Sequence, residues 1–150
     1  MKKFAEHSQT VKSLGAYISF LRALAFIYQN SHWETSGSGF YGDHLLMDRL
    51  YETALENIDA ISEKSIGLFG PDTVNIGAQI TLIKTIIDKY KDLKPLERSL
   101  AAVQEFLEIS THTYKEIKEN GDMTLGLDDL ILHIHSEQET SVYLLQQTLV

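Results

Sequence analysis

Apolar residues return at three- and four-residue steps through four long segments of this chain, the period of a helix with one buried face. In the first segment they are Val11, Leu14, Ile18, Leu21, Leu24 or Ala25, and Tyr28. The polar pair Asn30 and Ser31, followed by Ser36-Gly37-Ser38-Gly39, predicts its end. The second runs from about Phe40 to Leu68, with Met47, Leu50, Ala54, Ile58 and Ile61 on one stripe and Gly67, Gly70 and Pro71 closing it. The third stripe is Leu96, Leu100, Val103, Leu107, Tyr114 and Ile117. Pro95 suits its first turn, and Asn120-Gly121 supplies a left-handed stop. Leu127, Leu130 or Ile131, Ile134, Val142, Leu145 and Leu149 form the fourth.

Residues 69–93 separate the second and third segments, and Ile80, Leu82, Ile83, Ile86 and Ile87 predict a short extra helix within them. Two long helices, a long crossover with a small helix, then two more long helices make an all-α, ferritin-like four-helix bundle. No internal repeat, low-complexity stretch or hairpin signal interrupts the pattern. The 150 residues suit one domain, 1–150.

Composition narrows the chemistry. The chain has no cysteine, which excludes disulfides, thiolate metal sites and cysteine nucleophiles. Its 21 acidic against 13 basic residues give a net charge of −8, so bulk electrostatics do not draw it to nucleic acid or anionic membrane. The most apolar run, Leu21 to Tyr28, is interrupted by Arg22 and falls short of the roughly 20 residues a membrane helix needs. Lys2 and Lys3 resemble the start of a signal peptide, but no apolar region follows. The expectation is a cytoplasmic protein with no membrane contact.

Of six histidines, His7, His112, His133 and His135 read as ordinary surface or satisfied core residues. His32 and His44 keep different company. His44 and Asp48 are four residues apart, and Asp59 and Glu63 repeat that spacing on the same helix. Round the axis the four point at about 0°, 40°, 60° and 100°, an acid-histidine stripe beside the apolar one. A solvated helix flank carries acids at such spacings too. The axial distance adds a constraint, because Asp48 and Asp59 lie about 16 Å apart. The two pairs cannot reach one ion within a single chain, but they can if a second copy of this helix packs antiparallel across a twofold axis. Glu52 and Leu55 would then lie near that axis. Imidazole and carboxylate without sulfur suit Fe(II), Mn(II) or Zn(II).

Other sites are missing. A di-iron centre in the bundle core needs Glu-x-x-His motifs, and no histidine here has an acid three residues before it. Neither a phosphate loop, a Gly-x-Ser-x-Gly elbow, a His-Glu-x-x-His pair nor a basic groove-reading cluster occurs.

The run His32-Trp33-Glu34-Thr35-Ser36-Gly37-Ser38-Gly39-Phe40, continuing to His44 and Asp48, resembles the first signature of the Dps proteins, the mini-ferritins. Ile58-Asp59-Ala60-Ile61-Ser62-Glu63-Lys64 resembles the second, usually Asp-x-Ile-Ala-Glu-Arg. Ser62 and Lys64 depart mildly from it, Thr35 stands where valine is common, and Asp43 where an apolar residue usually precedes the histidine. Gly121-Asp122 and Asp128-Asp129-Leu130 resemble the entry to the family's last helix, with Glu139 and Tyr143 in its Glu and Trp places.

The resemblance implies a hollow dodecamer of tetrahedral symmetry that oxidises Fe(II), usually with hydrogen peroxide, and stores the ferric mineral. It implies a ferroxidase site shared across a twofold interface, with His32, His44 and Asp48 from one subunit and Asp59 and Glu63 from its mate. Zinc is a possible substitute for iron there. Trp33 would lie beside the site and accept oxidising equivalents, unless it is simply a core aromatic at a helix end. Asp122, Asp128 and Asp129 are candidates for lining threefold pores, although acids at a helix start are favoured by the dipole anyway.

Many proteins of this family bind DNA through a lysine-rich tail, for which this chain offers only Lys2 and Lys3. The competing readings are a non-catalytic or DNA-compacting cage, and a plain helical interaction domain. Because binding falls with salt in proportion to the phosphates neutralised, a gel shift at low and physiological salt is expected to show DNA binding weak or absent at the higher salt. Retardation that survives there would favour the DNA-compacting cage.

Overall fold

The computed structural model describes residues 7–150; the lysine pair Lys2 and Lys3 lies outside the described residues. Among them the chain forms α1 (Ser8–Glu34), α2 (Phe40–Phe69), α3 (Ile76–Tyr90), α4 (Pro95–Glu119) and α5 (Leu125–Leu149), with a 3-10 turn at Pro71–Val74 and no strand. Side-chain contacts fix the directions. Asp122, after α4, meets Thr10 at the start of α1, and Arg98, near the start of α4, meets Ser31 near the end of α1. α1 and α4 are therefore antiparallel, and short loops make α1–α2 and α4–α5 antiparallel as well. It follows that α2 and α4 run parallel. The chain between them must travel back along a helix of 30 residues, about 45 Å long. The 15 residues of α3, about 22 Å, carry half of that return against α1.

Local chemistry sets most boundaries. The Asn75 side chain accepts from Ala78 N at 2.9 Å to start α3, and Thr124 Oγ1 accepts from Leu127 N at 3.1 Å to start α5. α4 ends in a Schellman motif: Gly121 N donates to Lys118 O and Asp122 N to Ile117 O, with Gly121 at φ 73° as its position requires.

Three expectations are corrected. Gly67 lies inside α2, which closes instead at Gly70 and Pro71. α3 extends three to four residues beyond the apolar run at each end, because the Asn75 cap starts it at Ile76 and buried Tyr90 holds its last turn. α1 passes through Asn30 and Ser31 to Glu34, because Ser31 is wholly buried against α4 and its polar groups are satisfied there.

The core gathers round α1, whose Leu14, Tyr17, Ile18, Leu21, Leu24 and Tyr28 are closed to solvent. Each such side chain contributes about 1.5–3 kcal/mol of transfer free energy. By length and composition α1 is apolar enough to cross a membrane, contrary to the expectation drawn from Arg22, since an 18-residue stretch has mean hydropathy 1.3. Yet 72% of that stretch is buried inside the bundle, as befits a core helix. Arg22 is accommodated by donating through Nη1 to Gln79 Oε1 of α3 at 2.7 Å.

A polar chain crosses the interior. Tyr28 Oη donates to Gln138 Oε1 (3.1 Å), Gln138 Nε2 to Asn57 Oδ1 (2.9 Å), and Asn57 Nδ2 to Glu137 Oε1 (2.9 Å). Burial pushes the Tyr28 phenol far above its ordinary pKa, so it stays a neutral donor. Gln138→Leu removes the bonds that Tyr28 Oη and Asn57 Oδ1 make to the amide, leaving Asn57 its bond to Glu137, and is expected to cost about 1–3 kcal/mol in urea unfolding. Adding Tyr28→Phe should return part of the loss, because one stranded group is then gone.

Candidate metal centre

The end of α1 and the start of α2 are brought side by side by the five-residue loop 35–39. Thr35 N donates to Ser31 O at 3.1 Å, finishing α1, and Phe40 N donates to Gly37 O at 3.1 Å, with Gly37 at φ 90°. In that conformation His32 and His44 face each other. Their rings stack at 3.7 Å between centroids with 18° between planes, and Phe40 lies 5.0 Å beyond His44.

The two imidazoles exchange hydrogen bonds with each other's backbone. His32 Nδ1 donates to His44 O at 2.6 Å, and His44 Nδ1 donates to His32 O at 2.9 Å. A carbonyl oxygen can only accept, so both Nδ1 atoms carry the proton. In its neutral form each ring then holds its lone pair on Nε2, the state a metal ligand requires. The Thr35 hydroxyl donates to the same His32 carbonyl at 3.1 Å. Sequence spacing could not reveal this exchange, since main-chain partners leave no residue signature.

Asp48 stands one turn beyond His44, half-buried, and Asp59 and Glu63 are exposed further along α2. Among the described residues these three carboxylates take part in no hydrogen bond or ion pair, so no internal cation neutralises them. The chain thus brings together His32 and His44, with Asp48 on the adjoining turn, and leaves Asp59 and Glu63 apart. Among the described residues no three His, Asp or Glu side chains converge within one chain. Between the two pairs α2 exposes Leu55 (44%), and Tyr41 (73%), Leu45 (48%) and Ile66 (41%) share that face.

Trp33 is 65% exposed beside His32, which removes its reading as a core aromatic. Asp43 folds back over the α2 N-terminus, where a Cβ on Gly39 would meet its Oδ2 at 3.2 Å, a position the dipole favours. Of the pore candidates, Asp122 is corrected. Its side chain is 1% exposed, accepting from Thr10 at 2.6 Å and facing His7 Nδ1 at 3.1 Å, so it anchors α1 instead of facing a channel. Asp128 accepts from Tyr114 Oη at 3.1 Å, and Asp129 is exposed. The other histidines are engaged elsewhere: His112 near Glu116, His133 on Glu137 and His135 on Ser110.

No protein-family model matches the chain. Solved structures do. DpsC from Streptomyces coelicolor superposes with a TM-score of 0.83 at 24% identity, over 100% of this chain and 88% of that one. Dps from Thermosynechococcus elongatus gives 0.80 at 18%, over 97% and 93%. A Vibrio cholerae O1 protein, described as a member of a broad superfamily of ferritin-like diiron-carboxylate proteins, gives 0.82 at 16%, over 99% and 93%. The chain has the Dps fold. Agreement over whole chains at such low identity means that the Dps fold is held by the placement of apolar positions, with the crossover helix included.

The reciprocal pairing makes a prediction of its own. Two-bond ¹H–¹⁵N correlation spectra at neutral pH are expected to show His32 and His44 as Nδ1–H tautomers. An Nε2–H pattern at either residue would mean that its lone pair is not available to a metal.

Proposed function

We propose that this chain is a Dps-type mini-ferritin, a cytoplasmic ferroxidase that oxidises Fe(II) and stores the ferric product in a dodecameric cage. The observation that carries the reading is the exchange between His32 and His44, which leaves both Nε2 lone pairs free for a metal, with the unpaired Asp48 one turn beyond His44 on α2. Iron is the substrate and cargo. His32, His44 and Asp48 would hold it from one subunit, and Asp59 and Glu63 from a neighbouring copy whose α2 lies antiparallel. Exposed Leu45, Leu55 and Ile66 supply the apolar area for that contact. The Dps structures this chain resembles support a homo-oligomer generally.

In the reaction two Fe(II) ions lose one electron each. Hydrogen peroxide accepts both electrons, its O–O bond breaks, and two protons complete two molecules of water. Delivering both electrons to one peroxide avoids release of hydroxyl radical, which would protect the cell against oxidative stress. The carboxylates contribute negative charge that favours Fe(III) over Fe(II), and the neutral imidazoles keep the site from repelling the incoming cation. Trp33, exposed beside His32, would take up an oxidising equivalent that escapes.

The test loads protein with Fe(II) under anaerobic conditions, adds stoichiometric peroxide and follows ferric absorbance. Fast oxidation is expected in the native chain, slowed ten- to a hundredfold by Asp59→Ala. Light scattering should give about 200 kDa, twelve chains of 17.0 kDa each. Oxidation no faster than without protein would overturn the reading, as would a monomer.

A further inference from the structure

We infer that Arg98 of α4 is a positioning residue for the His32 side chain, acting through the last turn of α1; this rests on the metal-site reading above. Asn30 and Ser31 are poor helix interior residues, and by propensity the helix stops there. It continues to Glu34, and α4 supplies the reason. Arg98 Nη2 donates to Ser31 Oγ at 3.0 Å and to Glu34 Oε2, while Ser31 Oγ also donates to Pro95 O at 3.1 Å. Ser99 Oγ lies 3.1 Å from the same Ser31 oxygen. Ser31 and Glu34 flank His32 and Trp33 in sequence, so one guanidinium grips the turn on both sides of the candidate ligand.

The cost of the arrangement points the same way. The Arg98 side chain is 8% exposed, against 46% for Glu34, and its Nε is buried with no hydrogen-bond partner. Burying an incompletely satisfied guanidinium is unfavourable, and an apolar residue at this place would serve packing alone. What the guanidinium adds is a fixed register. His32 Nδ1 reaches His44 O only while residues 31–34 stay helical, and the return bond from His44 ends on the His32 carbonyl in that same turn. If the turn frays, both bonds break and both imidazoles become free to change tautomer.

The experiment compares the native oligomer with Arg98→Met, which keeps the side-chain volume, and with Arg98→Lys, which restores one charged donor. Three readouts are taken: the His32 and His44 ¹⁵N tautomer signature, Co(II) half-saturation from its visible absorbance, and the urea midpoint. In Arg98→Met both histidines are expected to show mixed tautomers and Co(II) half-saturation to rise about tenfold, the loss of one charge-assisted bond. Arg98→Lys should recover part of each. Should Arg98→Met fail to fold, Glu34→Gln, at a half-exposed position, carries the test with a smaller shift in the same direction. Native tautomers and native Co(II) affinity in the folded variant overturn the proposal, whatever the urea midpoint does. If the native chain binds no metal but the tautomers still respond to Arg98→Met, the positioning role stands and the ferroxidase reading falls.

Discussion

The exchange of hydrogen bonds between His32 and His44 makes demands on two helices and the loop that joins them. It needs α1 to remain helical to Glu34, α2 to begin by Phe40, and a loop of five residues that turns the chain through Gly37. Each demand is met by a different group: the Arg98 and Pro95 contacts to Ser31, the acid and first-turn bonding at the start of α2, and the positive φ that a glycine adopts without strain. Because each imidazole uses a main-chain carbonyl of the other helix, both bonds persist only while the end of α1 and the start of α2 keep their register. The stacked pair is thus tied to the backbone on both sides, with both Nε2 atoms left out of the exchange.

The bundle interior bears on the proposal that the chemistry lies on the outer face of α2. A ferritin-type centre between the helices would need acids and histidines aimed inward from four helices. Here that space holds Tyr28, Gln138 and Asn57, which satisfy one another as neutral groups. Only Glu137 adds a charge, at the half-exposed end of the chain near His133. Such a network fixes the register of α1, α2 and α5 without attracting a cation inward. Asp48, Asp59 and Glu63, three of the carboxylates without a partner among the described residues, lie on one flank of α2.

Much of this was legible in the sequence, and the misses share a cause. Stripes such as Leu14, Ile18, Leu21 and Tyr28 or Met47, Leu50, Ala54 and Ile61 are buried as their period implies, because the apolar period measures burial directly. The Asn120-Gly121 stop held because a Schellman motif is local. The continuation of α1 past Asn30, the tolerance of Arg22 and the burial of Asp122 depend on contacts with residues 57 to 115 positions away. Tertiary partners overrode local propensity at each place. For the candidate site, the sequence held the residue types and their spacing along α2. It could not hold the ring tautomers, which main-chain carbonyls decide.

Charge completes the argument about the α2 face. A helix that shows unpaired Asp48, Asp59 and Glu63 among exposed Leu45, Leu55 and Ile66 is poorly served as a solvent surface, since its apolar residues gain nothing from water. It is equally poor as a purely apolar contact, since packing two copies together would bury like charges against each other. Under the proposed antiparallel pairing both difficulties disappear together only when a cation sits between the two acid groups. Association would then be stabilised by the same ion that the site is proposed to oxidise, because burial raises the cost of unneutralised carboxylates and a divalent metal removes it. The mixed character of this face, awkward for either purpose alone, fits the proposed metal site shared at a subunit boundary.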